Sequence, residues 1–414
     1  MNSNILERFF NPRSVVVAGA SNNISKMGTI QLLNIVHGGF TGQVLCLHPT
    51  ESSVMGLPTF KKASELPFAP DLAVLIIPSR HVPKLIDELG ERGVKAAVVI
   101  SGGFRESADP EGARLERDLV EAAKRRGMRL VGPNCIGIIS PPAGFNTTVY
   151  PYKQPPGRVG LLSQSGTYVT QVLHYLERRG WGFSRAVSMG NSCDLNLIDG
   201  FEYLAEDPMT AAIAMYIEGV PDGRAFMDAA RRASAKKPVV ALYVGGSETG
   251  ARASASHTGA MAGNGAIFRG ALRQAGVVQV NRIEDLFASA HALASQPPMP
   301  GPRVGIITNS GGPAASMADT VSRLGLELPV FSDRLQGVLK SLIPPTSPHK
   351  NPVDMTFSLD MEAFLVTIVD EILASGEVDG LVIHGVIGSL FMDELGSMMG
   401  GRMPVDNDPF MEII

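Results

Sequence analysis

The amino-acid sequence predicts an α/β protein of parallel sheets with helices on both faces, in three successive units. Three observations carry that expectation. Short β-branched and aliphatic runs alternate with stretches of helical period over residues 14–131, the pattern of parallel strands joined by helical crossovers. Val159-Gly-Leu-Leu-Ser-Gln-Ser-Gly166 and Val304-Gly-Ile-Ile-Thr-Asn-Ser-Gly311 match position by position in character, 145 residues apart, so two units of one architecture follow the first. Finally, 414 residues with 44% hydrophobic content and 45 glycines suffice for two or three compact units with many tight turns.

The first strand, Ser14-Val-Val-Val-Ala-Gly-Ala20, ends in glycine and feeds a loop, Ser21-Asn-Asn-Ile-Ser-Lys26-Met-Gly28, before a helical pattern through Ile35. A glycine-bearing turn at a helix N-terminus is the usual phosphate cradle of a nucleotide-binding βαβ unit, although Gly19, Ser21, Lys26 and Gly28 do not make a Gly-x-Gly-x-x-Gly spacing. Strands are expected at Gln43–Leu47, Leu72–Ile77 and Ala96–Ser101, with helices at Val82–Arg92 and Glu111–Arg126. Their carboxyl ends carry His48-Pro49, Pro78-Ser79 and Ser101-Gly102-Gly103-Phe104, and Gly132-Pro-Asn134-Cys135-Ile-Gly137 closes the unit. Each could be a plain turn. Together they occupy the edge where doubly wound sheets bind ligands.

Residues 143–156, rich in Pro, Thr and aromatics, read as a linker, and Pro297-Pro-Met-Pro-Gly-Pro302 separates the second unit from the third. At each repeated start a strand delivers a hydroxyl, an amide and a glycine to a helix N-terminus. Ser163, Ser165, Gly166 and Thr167 form one such cluster, and Thr308, Ser310, Gly311 and Gly312 the other. Both suit a phosphate or carboxylate, and both also suit simple N-capping. Further strands at Phe183–Ser188, Ala211–Tyr216 and Pro238–Val244 end at Met189-Gly190-Asn191, at Glu218 and at Gly245-Gly246. Next comes Ala253-Ser-Ala-Ser-His257-Thr-Gly-Ala-Met-Ala-Gly263, an imidazole among residues too small to crowd an approaching anion. Glu218 could hold one ring nitrogen and leave the other nucleophilic.

The net charge of −4, with no basic run, argues against nucleic-acid and membrane partners. Three cysteines, Cys46, Cys135 and Cys193, far apart and odd in number, form neither a disulfide framework nor a metal site and suit a reducing cytoplasm. The N-terminus has no signal-peptide pattern and no apolar run approaches a membrane span, so a soluble protein is expected. His37, His81, His174, His291 and His349 make no metal-ligand spacing, and no protein-bound metal is expected.

With Ser256-His-Thr-Gly-Ala-Met-Ala-Gly263, Gly132-Pro-Asn, Leu162-Ser-Gln-Ser-Gly-Thr167, Gly190-Asn191 and Thr308-Asn-Ser-Gly-Gly-Pro313 in order, the chain resembles ADP-forming acyl-CoA synthetases, relatives of succinyl-CoA synthetase, over nearly all of residues 8–390. The resemblance implies a Rossmann-like CoA-binding domain (1–142), a flavodoxin-like ligase domain (157–296) carrying His257, and a second flavodoxin-like domain (302–414) that looks incomplete. It implies a transiently phosphorylated His257 steadied by Glu218, in an acid–thiol ligase reaction through an acyl phosphate. CoA would lie along Gly19, Ser21, Lys26, Gly28, Pro49, Pro78, Ser101, Gly102, Phe104, Asn134 and Cys135. Phosphate and the carboxylic acid would lie at Ser163, Ser165, Gly166, Thr167, Gly190 and Asn191. ATP and ADP, with Mg2+ on their phosphates, would come with ATP-grasp domains that no stretch here resembles, on a separate subunit or a missing part of the chain. An oligomer is expected. One departure stands out: where the family shows a Lys-x-Gly-Arg-Ser type segment, this chain has Tyr243-Val-Gly-Gly246-Ser247, without either positive charge. That departure suits a second reading, a non-catalytic CoA-sensing module; a third reading is an enzyme that uses the CoA ester in a further step such as a lyase reaction.

Overall fold

The computed structural model describes residues 6–107, 109–247, 249–250, 265–356, 358, 360–385 and 398. The chain forms two compact units, Met1–Pro297 and Pro298–Ile414. Among the described residues the first holds two seven-stranded sheets and the second a three-stranded one.

The first sheet contains β1 (Ser14–Ala18), β2 (Gln43–Leu47), β3 (Ser53–Val54), β4 (Leu57–Phe60), β5 (Leu72–Leu75), β6 (Ala96–Val99) and β7 (Arg129–Val131), in the order β3-β4-β2-β1-β5-β6-β7. All pairs are parallel except β3 with β4. Every residue of β1, β5 and β6 is buried, because helices cover both faces and a parallel strand has no solvent side. From β1 the chain runs to β2 on one side and later to β5 on the other, which opens a crevice at their carboxyl ends. The helix Val82–Arg92 falls where the sequence places it, with Pro83 in its first turn and Gly93 closing it at φ 106°.

The second sheet contains β8 (Ile138–Ser140), β9 (Phe145–Asn146), β10 (Val159–Ser163), β11 (Phe183–Ser188), β12 (Ala212–Ile217), β13 (Val239–Tyr243) and β14 (Val278–Val280), ordered β14-β13-β12-β10-β11-β8-β9. Here the structure departs from a free linker at 143–156. Asn146 donates to Tyr150 O (2.8 Å), Thr147 N–H donates to Ile138 O (2.9 Å), and Thr147 and Thr148 are fully buried. The polar side chains that read as loop are each satisfied inside, so the segment lies against the sheet.

One apolar core passes through both sheets, joining Val15, Val17, Leu32 and Ile35 to Leu162, Val187, Met189 and Met215. At its margin Arg185 pairs with Asp207 (3.7 Å), both inaccessible, and Tyr203 donates to Glu7 (2.9 Å) while stacking on Phe10. In the second unit β15 (Val304–Thr308) is parallel to both β16 (Val353–Asp354) and β17 (Gly380–His384), and the helix Gly311–Arg323 follows it. The sequence repeat is structural down to single hydrogen bonds. Ser163 Oγ donates to Ser165 O and Ser165 N–H donates back to Ser163 Oγ (2.6 and 3.2 Å); Thr308 and Ser310 make the same pair (3.1 and 3.2 Å). Among the described residues no helix is long and apolar enough to cross a membrane.

Candidate functional site

The crevice of the first sheet is built on a close approach of two turns. Gly19 has φ 108°, a backbone that favours glycine, and a methyl there would collide with the carbonyl of Ile76; a methyl on Gly28 would strike the carbonyl of Gly19. The turn thus packs tightly under the N-terminus of the helix Met27–His37, with Lys26 as its N-cap and Ser21 tied to Thr29 (3.1 Å). Ile24 and Met27 stand 65% and 51% exposed beside this cradle and offer apolar surface next to its N–H donors. A glycine cradle, a lysine and an apolar rim fit the phosphates and the uncharged parts of CoA.

The other residues expected there divide. Pro49 and Pro78 are exposed at strand ends, and Gly102 is exposed beside Glu106 and Asn134. Ser101 spends its hydroxyl inside, accepting from Ile77 N–H (3.1 Å) and donating to Leu75 O (3.4 Å). Phe104 is completely buried in the core and presents no face to a ligand, a correction to its place in the cofactor set; its ring is what the turn after β6 packs on. Cys135 donates to Val99 O (3.4 Å), and burial pushes its thiol up to about 12, so it is no nucleophile.

Asn134 and Cys135 nevertheless meet the second set. Together with Ser165, Gly166, Thr167, Gly190 and Asn191 they line a cleft of about 330 Å³. Ser163 lies behind it, fully buried, locking the turn. The helix after this turn is only Thr167–Thr170, so the cleft relies on individual N–H groups more than on a helix dipole. Gly166, its N-cap, has no side-chain capping bond. Asn191 is tied inward: its amide nitrogen donates to Glu106 (2.6 Å) and Glu116 (2.8 Å), and its oxygen accepts from Asn134 (3.3 Å). Arg105 pairs with Glu116 (3.3 Å) and donates to the Asn191 carbonyl. Asn191 thus fastens the turn after β11 to the turn after β6 and to the helix Pro110–Arg126.

Glu218, just beyond β12, is 5% exposed. Tyr216 lies on the same strand end, and burial first, then the Glu218 charge, raises its phenol above its ordinary value. The Gln164 side chain holds the main chain at 218–219, a role no local pattern signals because its partners lie 54 and 55 residues away. Glu106, Glu116 and Arg105 escaped the sequence reading for the same reason. His257 lies outside the described residues. Tyr243, one of the two positions at which the sequence departs from the resemblance, is 9% exposed and stacks on Phe268 (3.9 Å between ring centroids), so this position serves packing. Among the described residues no cluster of three or more His, Cys, Asp or Glu could hold a metal ion.

Comparison with known proteins accords with this geometry. Residues 13–141 match a family model described as CoA binding domain, and residues 156–293 one described as succinyl-CoA ligase like flavodoxin domain. The chain is 40% identical over 364 residues to the alpha subunit of acetate–CoA ligase [ADP-forming] II of Pyrococcus furiosus, an alignment covering 88% of this chain and 79% of that one. It is 39% identical over 390 residues to acetate–CoA ligase [ADP-forming] I of Archaeoglobus fulgidus, covering 94% of this chain but only 56% of that longer protein. Among solved structures, acetyl-coenzyme A synthetase 1 of Candidatus Korarchaeum cryptofilum, in complex with phosphate and ADP, superposes with a TM-score of 0.85 at 34% identity, covering 96% of this chain and 92% of that one. On these likenesses, and with a Rossmann-like and a flavodoxin-like domain in the family's order, the chain belongs to the ADP-forming acyl-CoA synthetases, the acid–thiol ligases related to succinyl-CoA ligase.

Proposed function

We propose that this chain binds CoA and a carboxylic acid and carries the phosphohistidine of an ADP-forming acyl-CoA synthetase, working with ATP-grasp domains that take the nucleotide. The net reaction is acid + CoA + ATP ⇌ acyl-CoA + ADP + phosphate. In the forward direction the phosphoryl group passes from ATP to His257 and on to a carboxylate oxygen, giving an acyl phosphate; the CoA thiolate then attacks the acyl carbon and phosphate leaves. Residues 1–142 are the CoA-binding portion, 157–296 the ligase portion with His257, and 302–414 a second flavodoxin-like portion.

The observation that carries this reading is the meeting of Asn134 and Cys135, from the CoA side, with Ser165, Gly166, Thr167 and Gly190 on one cleft. Thiol and acyl phosphate must react at such a meeting point. The N–H groups of Gly166 and Thr167 would receive the anion, and charge stabilisation with positioning is most of what phosphoryl transfer asks of a protein. Glu218, held inside, would accept a hydrogen bond from one imidazole nitrogen and leave the other free to take phosphate. Mg2+, entering on the nucleotide phosphates, would neutralise their charge.

The test incubates the chain with its ATP-grasp partner and γ-labelled ATP. Wild type should gain acid-labile, base-stable label and form acyl-CoA when acid and CoA are supplied. His257→Ala should gain none, and Glu218→Gln should be labelled about 100-fold more slowly. CoA binding without label would favour the sensing module instead, a reading that the packed Tyr243, at a position that departs from the resemblance, keeps open.

A further inference from the structure

Gln164 stands between the anion-binding turn and Glu218, and its side chain is almost fully committed. Its Oε1 accepts from the N–H groups of both Glu218 (2.6 Å) and Gly219 (3.1 Å), and its Nε2 donates to Gly219 O (2.9 Å). A glutamine amide has two acceptor sites and two donor hydrogens, so three of its four valences close on two consecutive residues. The side chain is not needed to join the strands. The Gln164 N–H already donates to Tyr216 O (3.2 Å), within a register that pairs Ser163 with Tyr216. The same main-chain link recurs in the second unit, where Asn309 N–H donates to His384 O (3.3 Å). The main chain therefore binds the two strand ends at both places, and the Gln164 amide performs a separate task on the residues that follow β12.

We propose that Gln164 is a positioning residue for phosphoryl transfer: its three-bond clamp on residues 218–219 fixes the direction of the Glu218 carboxylate, the group proposed above to steady His257. The inference rests on the ligase reading above. A carboxylate 5% exposed cannot be held by solvent, and a free two-residue turn would let its Cα–Cβ vector swing. The clamp stops that motion. Gln164 also lines the cleft, but with a single N–H left over it has little to offer a ligand, which separates positioning from direct contact.

The experiment compares wild type with Gln164→Leu and Gln164→Glu, each with the ATP-grasp partner. Gln164→Leu loses all three bonds. It should lower the rate of His257 labelling and kcat by about 10- to 100-fold, as small displacements in a positioned site do, while KM for CoA and for the acid stay unchanged. Its acid limb in the pH–rate profile should move to lower pH: a nearby carboxylate raises the imidazole pKa, neutral imidazole is the acceptor, and a misdirected carboxylate raises it less. Gln164→Glu can still accept both N–H bonds and should recover much of the rate. The proposal is overturned if Gln164→Leu is labelled like wild type, or if KM and melting temperature change together with kcat, the acid limb stays in place and Gln164→Glu recovers nothing. Absence of label in wild type would instead overturn the ligase reading, and this proposal with it.

Discussion

Single residues at strand ends do unequal work. Gly19 is the sharpest case, since both its φ of 108° and the carbonyl of Ile76 exclude a side chain. Gly19→Ala should cost about 1–3 kcal/mol of stability, the cost of a non-glycine residue forced into that region, and should weaken CoA binding beyond what the fold loses. Denaturant titration beside calorimetric CoA titration separates the two; retained affinity in a folded variant would remove the cradle from the CoA site. Glycines and serines of this kind were legible in the sequence because their reason is local, a turn next to a strand. Asn191 was legible as a residue of interest but not in its task, because Glu106 and Glu116, which hold its amide, lie 85 and 75 residues earlier. Phe104 misled for the opposite reason: a strand-end position looks like a ligand position until its ring is seen to be buried.

Elements are legible where the apolar pattern is long enough to show. Phe183–Ser188, buried throughout, Gln43–Leu47, buried at its end, and the helix Val82–Arg92, which buries Val82, Ile86 and Leu89, fall where the sequence puts them. The short strands did not show themselves. β3, β8, β9, β14 and β16 have two or three residues each, too few for any period, and β9 hides in a Thr-rich stretch whose hydroxyls are paid for by internal hydrogen bonds. The edge where β8 joins β11 is held by Arg185, whose guanidinium reaches Ser140 (3.2 Å) and pairs with Asp207. Arg185→Met would strand a buried carboxylate, and breaking such a pair costs about 3–5 kcal/mol. Urea unfolding measures that cost; an unchanged midpoint would mean that Asp207 has its charge satisfied without Arg185.

At the scale of the whole first unit, the decisive fact is that one core spans both sheets. The sequence divides them by a linker, and composition alone cannot reveal that apolar faces on either side of it merge. A chain ending at Pro297 should therefore unfold in a single transition, with far-UV and near-UV circular dichroism and calorimetry coincident. Two separated transitions would mean that the sheets melt independently. The placement of the cleft follows from the same fusion, since its lining comes from turns of both sheets and exists only while they are joined.

That shared interior also limits how such a protein can be recombined. A graft that replaces residues 1–142 with a foreign CoA module would bring half of an interior fitted to another partner. The cut would also part Ile138–Ser140 from Phe145–Asn146, the strand it pairs with. The seam that looks natural in the sequence is thus a poor place to cut, and modules of this kind travel best in pairs.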